Sequence, residues 1–188
     1  MAISRNLIWQ TVNSTYVLKD TWATIRRDAC LLPNGVKIDS YYVYEFPDWV
    51  TAFALTKDGK VILEKQYRHA LGRVDIETPG GCVDESDAST EAAIARELLE
   101  ETGYQFTHFQ KLGITSANPS TNNNIMHLYL ATGGEKVTHQ NFDQGEDLEV
   151  FLADIHEVKQ MLRENKIIQS MHVTCIFLAL EHLGELHF

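Results

Sequence analysis

A mixed α+β fold, an α/β/α sandwich with helices on both faces of a mixed sheet and an extra antiparallel sheet ahead of it, is the class that this sequence predicts. Three observations predict it. Residues 15–46 alternate apolar and polar side chains through three strand-length runs, a capped helix stands at 89–103 between groups of apolar strands, and the chain closes on two helices, one with Val158, Met161 and Leu162 at helical spacing and one strongly apolar. No Gly-x-Gly-x-x-Gly or P-loop pattern supports a dinucleotide-binding or NTPase alternative.

The alternation from Thr15 to Leu32 runs through Tyr16, Leu18, Thr24, Ile25, Ala29 and Leu31, with Lys19-Asp20 as a hairpin tip and Pro33-Asn34-Gly35 as a strong turn signal. Val36 to Phe46 continues it, with Tyr42, Tyr44 and Phe46 on one face and Tyr41 and Val43 on the other. Val50–Leu55 and Val61–Gln66 are apolar-rich strands joined by the hairpin loop Lys57-Asp58-Gly59-Lys60. A glycine turn at Gly80-Gly81 and an acidic loop lead into a helix. Ser89 can cap its start, Glu91 sits where the macrodipole favours an anion, and Gly103 can end it in a left-handed conformation. Phe106–Thr115 and Ile125–Ala131 read as strands around the amide-rich loop Ser116–Asn124. A second acidic loop, Gln140–Val150, feeds a strand through Ala153, and helices at Ile155–Glu164 and Ser170–Leu183 close the chain, the last stopped by Gly184.

The chain of 188 residues is long enough to bury a core without staples and reads as one domain, 1–188, with residues 1–46 as its N-terminal antiparallel element and 47–188 as its core. Cys30, Cys82 and Cys175 are odd in number and widely spaced, which fits neither a zinc pattern nor a disulfide framework and favours a reducing cytoplasm. The start, MAISRNLIWQ, lacks the apolar run of a signal peptide, and no segment reaches the roughly 18 apolar residues of a membrane span. A net charge of −10 argues against a nucleic-acid groove. A small anionic nucleotide can still bind through local arginines and a metal.

On the 89–103 helix, Ile94, Leu98, Ala95, Leu99 and Ala92 make an apolar arc, and Glu97, Glu100 and Glu101 are read as a ridge on the other side. Such a ridge is either a solvated face or a divalent-metal site. Two carboxylates about 5 Å apart at an effective dielectric near 20 repel by roughly 3 kcal/mol, and a bound Mg²⁺ or Mn²⁺ reverses that sign.

The order Arg96-Glu97-Leu98-Leu99-Glu100-Glu101-Thr102-Gly103-Tyr104, with Gly81 upstream, resembles the second half of the Nudix signature at every specified position. The resemblance extends through the whole-chain layout to the branch that hydrolyses ADP-ribose and related sugar nucleotides. It departs in the first half of the signature, where Cys82 and Ala88 stand in place of a glycine and a glutamate. One extra loop residue accounts for this, with Gly81 in the glycine role and Asp87 or Glu85 replacing the acid that holds the arginine.

The resemblance implies a fold, a cofactor and a set of roles. Mg²⁺, or Mn²⁺, is held by Glu97, Glu100, Glu101 and the carbonyl of Gly80, with Arg96 orienting the glutamates. Glu146, with Asp143 behind it, is the candidate metal-bound or proton-accepting acid of a mobile loop. Arg68 reaches the substrate's phosphates or sugar. Glu77 faces the substrate or, on the alternative reading, is a buried acid paired with an arginine. Trp22, Tyr41 and Tyr44 are candidates for stacking on the base, and Asn118 and Ser120 border the substrate in a specificity loop. A homodimer formed through the N-terminal sheet is expected. The implied activity is Mg-dependent hydrolysis of the diphosphate bond of a nucleoside diphosphate sugar, ADP-ribose to AMP and ribose 5-phosphate. The alternatives are a GDP-sugar hydrolase, or a nucleotide-binding sensor or scaffold whose turnover is weakened by Ala88.

Overall fold

The computed structural model of the chain describes residues 5–142 and 145–186. It divides into two compact units, the first made of the chain up to Phe46 together with Asn118–Asn124, the second of Pro47–Ala117 and the chain from Ile125 onward.

The first unit is a three-stranded antiparallel sheet in the order β1 (Gln10–Lys19), β2 (Thr24–Leu31), β3 (Lys37–Glu45). The strand β1 begins at Gln10 rather than at the expected Thr15. All ten of its residues are exposed in the single chain, so no burial period marks its first half. Asp20 shapes the first hairpin by accepting the N–H groups of Trp22 and Ala23 through Oδ1, at 2.9 and 2.8 Å. Segment 118–124 lies along β3: Tyr44 donates its N–H to Thr121 O (2.8 Å), Asn123 donates to Tyr44 O (3.2 Å), and the Tyr41 hydroxyl donates to Ser120 O.

The second unit is built on a seven-stranded mixed sheet: β4 (Trp49–Thr56), β5 (Val61–Arg68), β6 (Arg73–Glu77), β7 (Tyr104–Gln105), β8 (His108–Thr115), β9 (Met126–Lys136) and β10 (Leu148–Ala153). The pair β4–β9 is parallel and the other pairs are antiparallel. Helix α1 (Thr90–Thr102) covers one face, and α2 (Ile155–Arg163) and α3 (Ser170–His182) cover the other. Along β4, Val50, Ala52 and Ala54 pack with Ala93, Ile94 and Leu98 of α1, while Phe53 packs with Cys175, Ile176, Ala179 and Leu180 of α3. A strand buried on both faces reads as an unbroken apolar run, which is why Val50–Leu55 looks as it does. Among the described residues no helix is long and apolar enough to cross a membrane.

The expected caps of α1 are present. Ser89 Oγ accepts the Ala92 N–H at 3.1 Å, and Gly103 ends the helix at φ 74°. Its faces differ from the expectation. Glu97 and Glu101 are buried with Ile94 and Leu98, and Leu99 faces outward. At 100° per residue Glu101 lies about 20° and Glu97 about 60° from Ile94, so the acids belong to the inward arc and only Glu100 stands at its margin.

The sheet has one further feature that positions the site. One edge of β5 is shared: β4 pairs with Val61 and Ile62, then β6 takes over from Glu64 to Arg68. The rest of β4 finds another partner.

Candidate active site

That partner is the segment after β6. Ala52 donates its N–H to Pro79 O at 3.1 Å, Val50 to Gly81 O at 2.9 Å, and Val83 to Asp48 O at 2.8 Å, so residues 79–83 continue the sheet beside β4. Two glycines make this approach feasible. Gly80 sits at φ 152°, and a Cβ there would stand 2.2 Å from Val50 O; a Cβ on Gly81 would stand 2.5 Å from Glu97 Oε1. The Gly80 N–H is turned toward α1 and donates to Glu101 Oε2 at 2.9 Å.

Arg96 ties this segment to the helix. Its Nε and Nη2 donate to Asp87 Oδ1 and Oδ2 at 3.1 and 2.9 Å, Nη2 also donates to Cys82 O at 3.0 Å, and Nη1 donates to Glu100 Oε2 at 3.0 Å and lies 3.1 Å from Glu97 Oε1. The two-pronged contact singles out Asp87 rather than Glu85, which is exposed, as is Ala88. Hydrogen bonds from Arg96 hold the Asp87 carboxyl below the usual range. Asp87→Ala is therefore expected to lower the urea unfolding free energy by about 2 kcal/mol, as loss of a charge-assisted pair does. Ala88→Glu should change it by less than about 0.5 kcal/mol, the usual result at a surface position. Equal effects of the two substitutions would count against this assignment.

Three carboxylates gather behind the glycine turn: Glu97 and Glu101 from α1, and Glu64 from β5. Glu64 is 4% exposed, Glu101 6% and Glu97 8%. Burial, with Glu77 close by, pushes the Glu64 carboxyl up to about 8. Burial pushes Glu97 up to about 7, with Glu100 and Glu146 adding repulsion against the pull of Arg96. Burial, then Glu64 and Glu97, raises Glu101 well above its ordinary value. Among the described residues no three His, Cys, Asp or Glu side chains stand in ready coordination geometry, since Glu97 and Glu100 are turned to Arg96 and Glu101 to Gly80. The cluster is nevertheless short of positive charge. Among the described residues Glu64 Oε1 is buried without a hydrogen-bond partner, and an oxygen-seeking divalent ion fits such a donor set.

The charge deficit has a pH signature. An acid whose folded pKa is raised loses its proton in the unfolded chain first, so stability falls as pH climbs from about 4.5 to the folded value. For Glu97 that window ends near 7 and for Glu64 near 8, and Glu97 alone is worth on the order of 3 kcal/mol. The acids held low, Glu77 at about 2 together with Asp28, Asp48 and Asp87, gain their stabilisation below about pH 4.5 and are flat above it. In chelator, the melting temperature is expected to fall between pH 5 and 8. A flat or rising curve would contradict the buried cluster.

Beside the carboxylates, Arg68 Nε donates to Glu77 Oε1 at 2.8 Å and Nη2 donates to Glu77 Oε2. Glu77 is thus the buried acid paired with an arginine. Burial raises its carboxyl, but hydrogen bonds from Arg68 and His172 outweigh this and hold it at about 2. His172, 2% exposed on α3, stands with Nε2 3.2 Å from Glu77 Oε2 and 3.0 Å from Gln169 Oε1, and with Nδ1 2.7 Å from Thr78 Oγ1. Thr78 Oγ1 meets Thr51 Oγ1 at 2.7 Å, and Thr51 Oγ1 donates to Pro79 O at 3.0 Å. One buried chain of polar groups therefore fixes both the Arg68–Glu77 pair and the backbone entering Gly80.

The structure brings together Arg68, Glu77, Gly80, Arg96, Glu97, Glu100 and Glu101 in the second unit. Glu146 joins them through its repulsion of Glu64, Glu97 and Glu101; Asp143 lies outside the described residues. Trp22, Tyr41, Tyr44, Asn118 and Ser120 belong to the first unit. There Trp22 is 87% exposed at the β1–β2 turn, and Asn118 shapes its own loop by accepting the Asn122 N–H at 2.8 Å. Sequence reasoning missed Glu64 and His172. A period-of-two count along β5 finds the first, since Glu64 shares the face of the buried Ile62.

Residues 46–171 match the family model described as NUDIX domain, and residues 9–44 match one described as nucleoside diphosphate sugar hydrolase N-terminal domain. A methanol dehydrogenase activator from Bacillus methanolicus is 26% identical over 168 residues, 89% of this chain and 90% of that protein. An ADP-ribose pyrophosphatase from Bacillus subtilis (strain 168) is 32% identical over 143 residues, 76% of this chain and 66% of that protein. A solved structure of an ADP compounds hydrolase matches with a TM-score of 0.83 at 21% identity, over 97% of this chain and 100% of that one, which bears on the fold alone.

Proposed function

The chain belongs to the NUDIX family, and from that premise we propose that it hydrolyses the diphosphate bond of a nucleoside diphosphate sugar, ADP-ribose plus water giving AMP and ribose 5-phosphate. The observation that carries this reading is the set of buried, mutually repelling carboxylates on α1 facing the Gly80–Gly81 turn, with an arginine pair on either side. The name of the Bacillus subtilis relative supports ADP-ribose as the first substrate to try.

Glu97, Glu100, Glu101, Glu146 and the Gly80 carbonyl are the groups that would hold Mg²⁺ or Mn²⁺. When bound, such an ion neutralises diphosphate oxygens and acidifies a water. Arg96 keeps Glu97 and Glu100 oriented by spanning them and Asp87. Arg68 gives Nε and Nη2 to Glu77, which aims the guanidinium and leaves Nη1 to meet a phosphate oxygen. Glu146 is the candidate proton acceptor. Arg96 meets Asp87, an acid beside Ala88, and this supports turnover over a sensor without it.

We place a homodimer interface on the N-terminal sheet in the same reading. Leu7, Ile8, Val12, Tyr16, Val17 and Leu18 are all exposed on or beside β1 in the single chain, a strand edge that proteins cover. Trp22 is the base-stacking candidate there. Free Cys30, Cys82 and Cys175 support a reducing, cytoplasmic setting.

The test is a panel of ADP-ribose, GDP-sugars and unlinked nucleoside diphosphates with Mg²⁺ or Mn²⁺, products followed by chromatography, and the protein's mass by light scattering. AMP and ribose 5-phosphate from a dimer are expected. Nucleotide binding without product would overturn the enzymatic reading, and a monomeric mass at micromolar concentration would overturn the interface.

A further inference from the structure

We propose that Glu64, on β5, is an additional ligand for the divalent cation, so that the sheet as well as helix α1 supplies oxygen to it. This deepens the function proposed above and rests on it.

The position is unusual for a glutamate. It follows Val61, Ile62 and Leu63 on a strand whose inward residues are core, and it faces the same side as Ile62, toward α1. Its partner across the β5–β6 ladder is another acid, Glu77. Glu64 is 4% exposed, and its Oε1 has no hydrogen-bond partner among the described residues. A buried carboxylate kept for structural reasons is held by donors, as Glu77 is by Arg68 and His172, Asp87 by Arg96, and Asp28 by Arg26 and Ser14. Glu64 lacks that arrangement. Arg68, which attracts it, gives its Nε and Nη2 to Glu77.

What surrounds Glu64 is negative. Glu77, Glu146 and Glu97 repel it, and among the charged neighbours of Glu101 it is Glu64 that repels most. An apolar side chain here would cost the fold less, so the acid's presence calls for a positive ligand. The neighbouring donors are carboxylate oxygens, and the nearby His172 has both ring nitrogens engaged with Thr78, Gln169 and Glu77. That donor set selects a hard divalent ion, Mg²⁺ or Mn²⁺, over zinc.

The experiment uses the full chain and Mn²⁺ alone, without nucleotide. Binding is measured by calorimetry and electron paramagnetic resonance, and melting with and without Mn²⁺, for the parent, Glu64→Gln, Glu64→Asp and Glu101→Gln. Glu64→Gln keeps the shape and removes the charge. It is expected to bind Mn²⁺ about ten- to a hundredfold more weakly, to melt higher than the parent in chelator, and to show a smaller Mn²⁺-induced rise in melting temperature. Glu64→Asp, which keeps the charge and shortens the reach, should fall between parent and Gln, and it answers the question if the Gln protein fails to fold. Mn²⁺ affinity of Glu64→Gln within twofold of the parent, or of Glu64→Asp indistinguishable from the parent if the Gln protein does not fold, with Glu101→Gln impaired, would overturn the role of Glu64 alone and leave it a structural acid. A parent that takes up no Mn²⁺ would overturn the metal reading on which the proposal stands.

Discussion

Glu101→Gln is expected to lose more than about a hundredfold in kcat toward ADP-ribose while folding at least as stably as the parent. The scale is that of removing a principal electrostatic group from an active site. The substitution is clean because, among the described residues, the Glu101 carboxylate accepts one hydrogen bond. Its Oε2 takes the Gly80 N–H at 2.9 Å, and a glutamine oxygen can take the same bond. Glutamine removes the charge that Glu64 and Glu97 repel, so the metal-free protein should melt at the same temperature or higher. Lost turnover with retained melting separates chemistry from folding. Near-parental kcat would remove Glu101 from the centre of the site.

Gly80→Ala should be the most damaging single methyl group, lowering unfolding free energy by about 3–5 kcal/mol in a urea titration. A φ of 152° is one that L-residues avoid, at a cost of about 1–3 kcal/mol. The new Cβ would also stand 2.2 Å from Val50 O, a backbone atom that cannot swing aside. Relief means loosening the bonds from Ala52 to Pro79 and from Val50 to Gly81, worth about 1 kcal/mol each. Against a typical total of 5–15 kcal/mol this is a large fraction. Gly81→Ala is the control. The three atoms nearest its Cβ belong to the carboxylate of Glu97, the end of a side chain, so stability should fall less while activity falls as Glu97 is displaced. A Gly80→Ala protein within about 1 kcal/mol of the parent would refute the close approach described here.

Much of this is legible in the sequence. The caps of α1 are local chemistry, and Ser89 and Gly103 do what their types predict. The spacing from Arg96 to Gly103 located the acids, and Gly80-Gly81 located the turn. What failed did so for identifiable reasons. Treating the glutamates as a face opposite the apolar arc assumes that acids point outward, whereas the fold places Glu97 and Glu101 inside. Asp87 and Glu85 could not be separated because loop conformation, not composition, decides which carboxylate meets both prongs of Arg96. His172 was invisible, since Thr78 and Thr51 lie 94 and 121 residues away in the chain and no local pattern joins them. Glu64 is readable by strand parity, but the apolar run around it masks the signal.

The shared edge of β5 determines where this domain tolerates a change in chain length. Between Glu77, registered against β5, and Pro79, registered against β4, a single residue spans two ladders, so an insertion or deletion there would throw one of them out of step. Beyond Val83 the backbone leaves β4, and Asp84–Ala88 connects to α1 with the Asp87 side chain, rather than a strand register, doing the joining. A residue can be gained in that stretch while a nearby acid rotates in to reach Arg96. The displaced spacing of the motif in this chain falls in that stretch, where no strand register has to be kept.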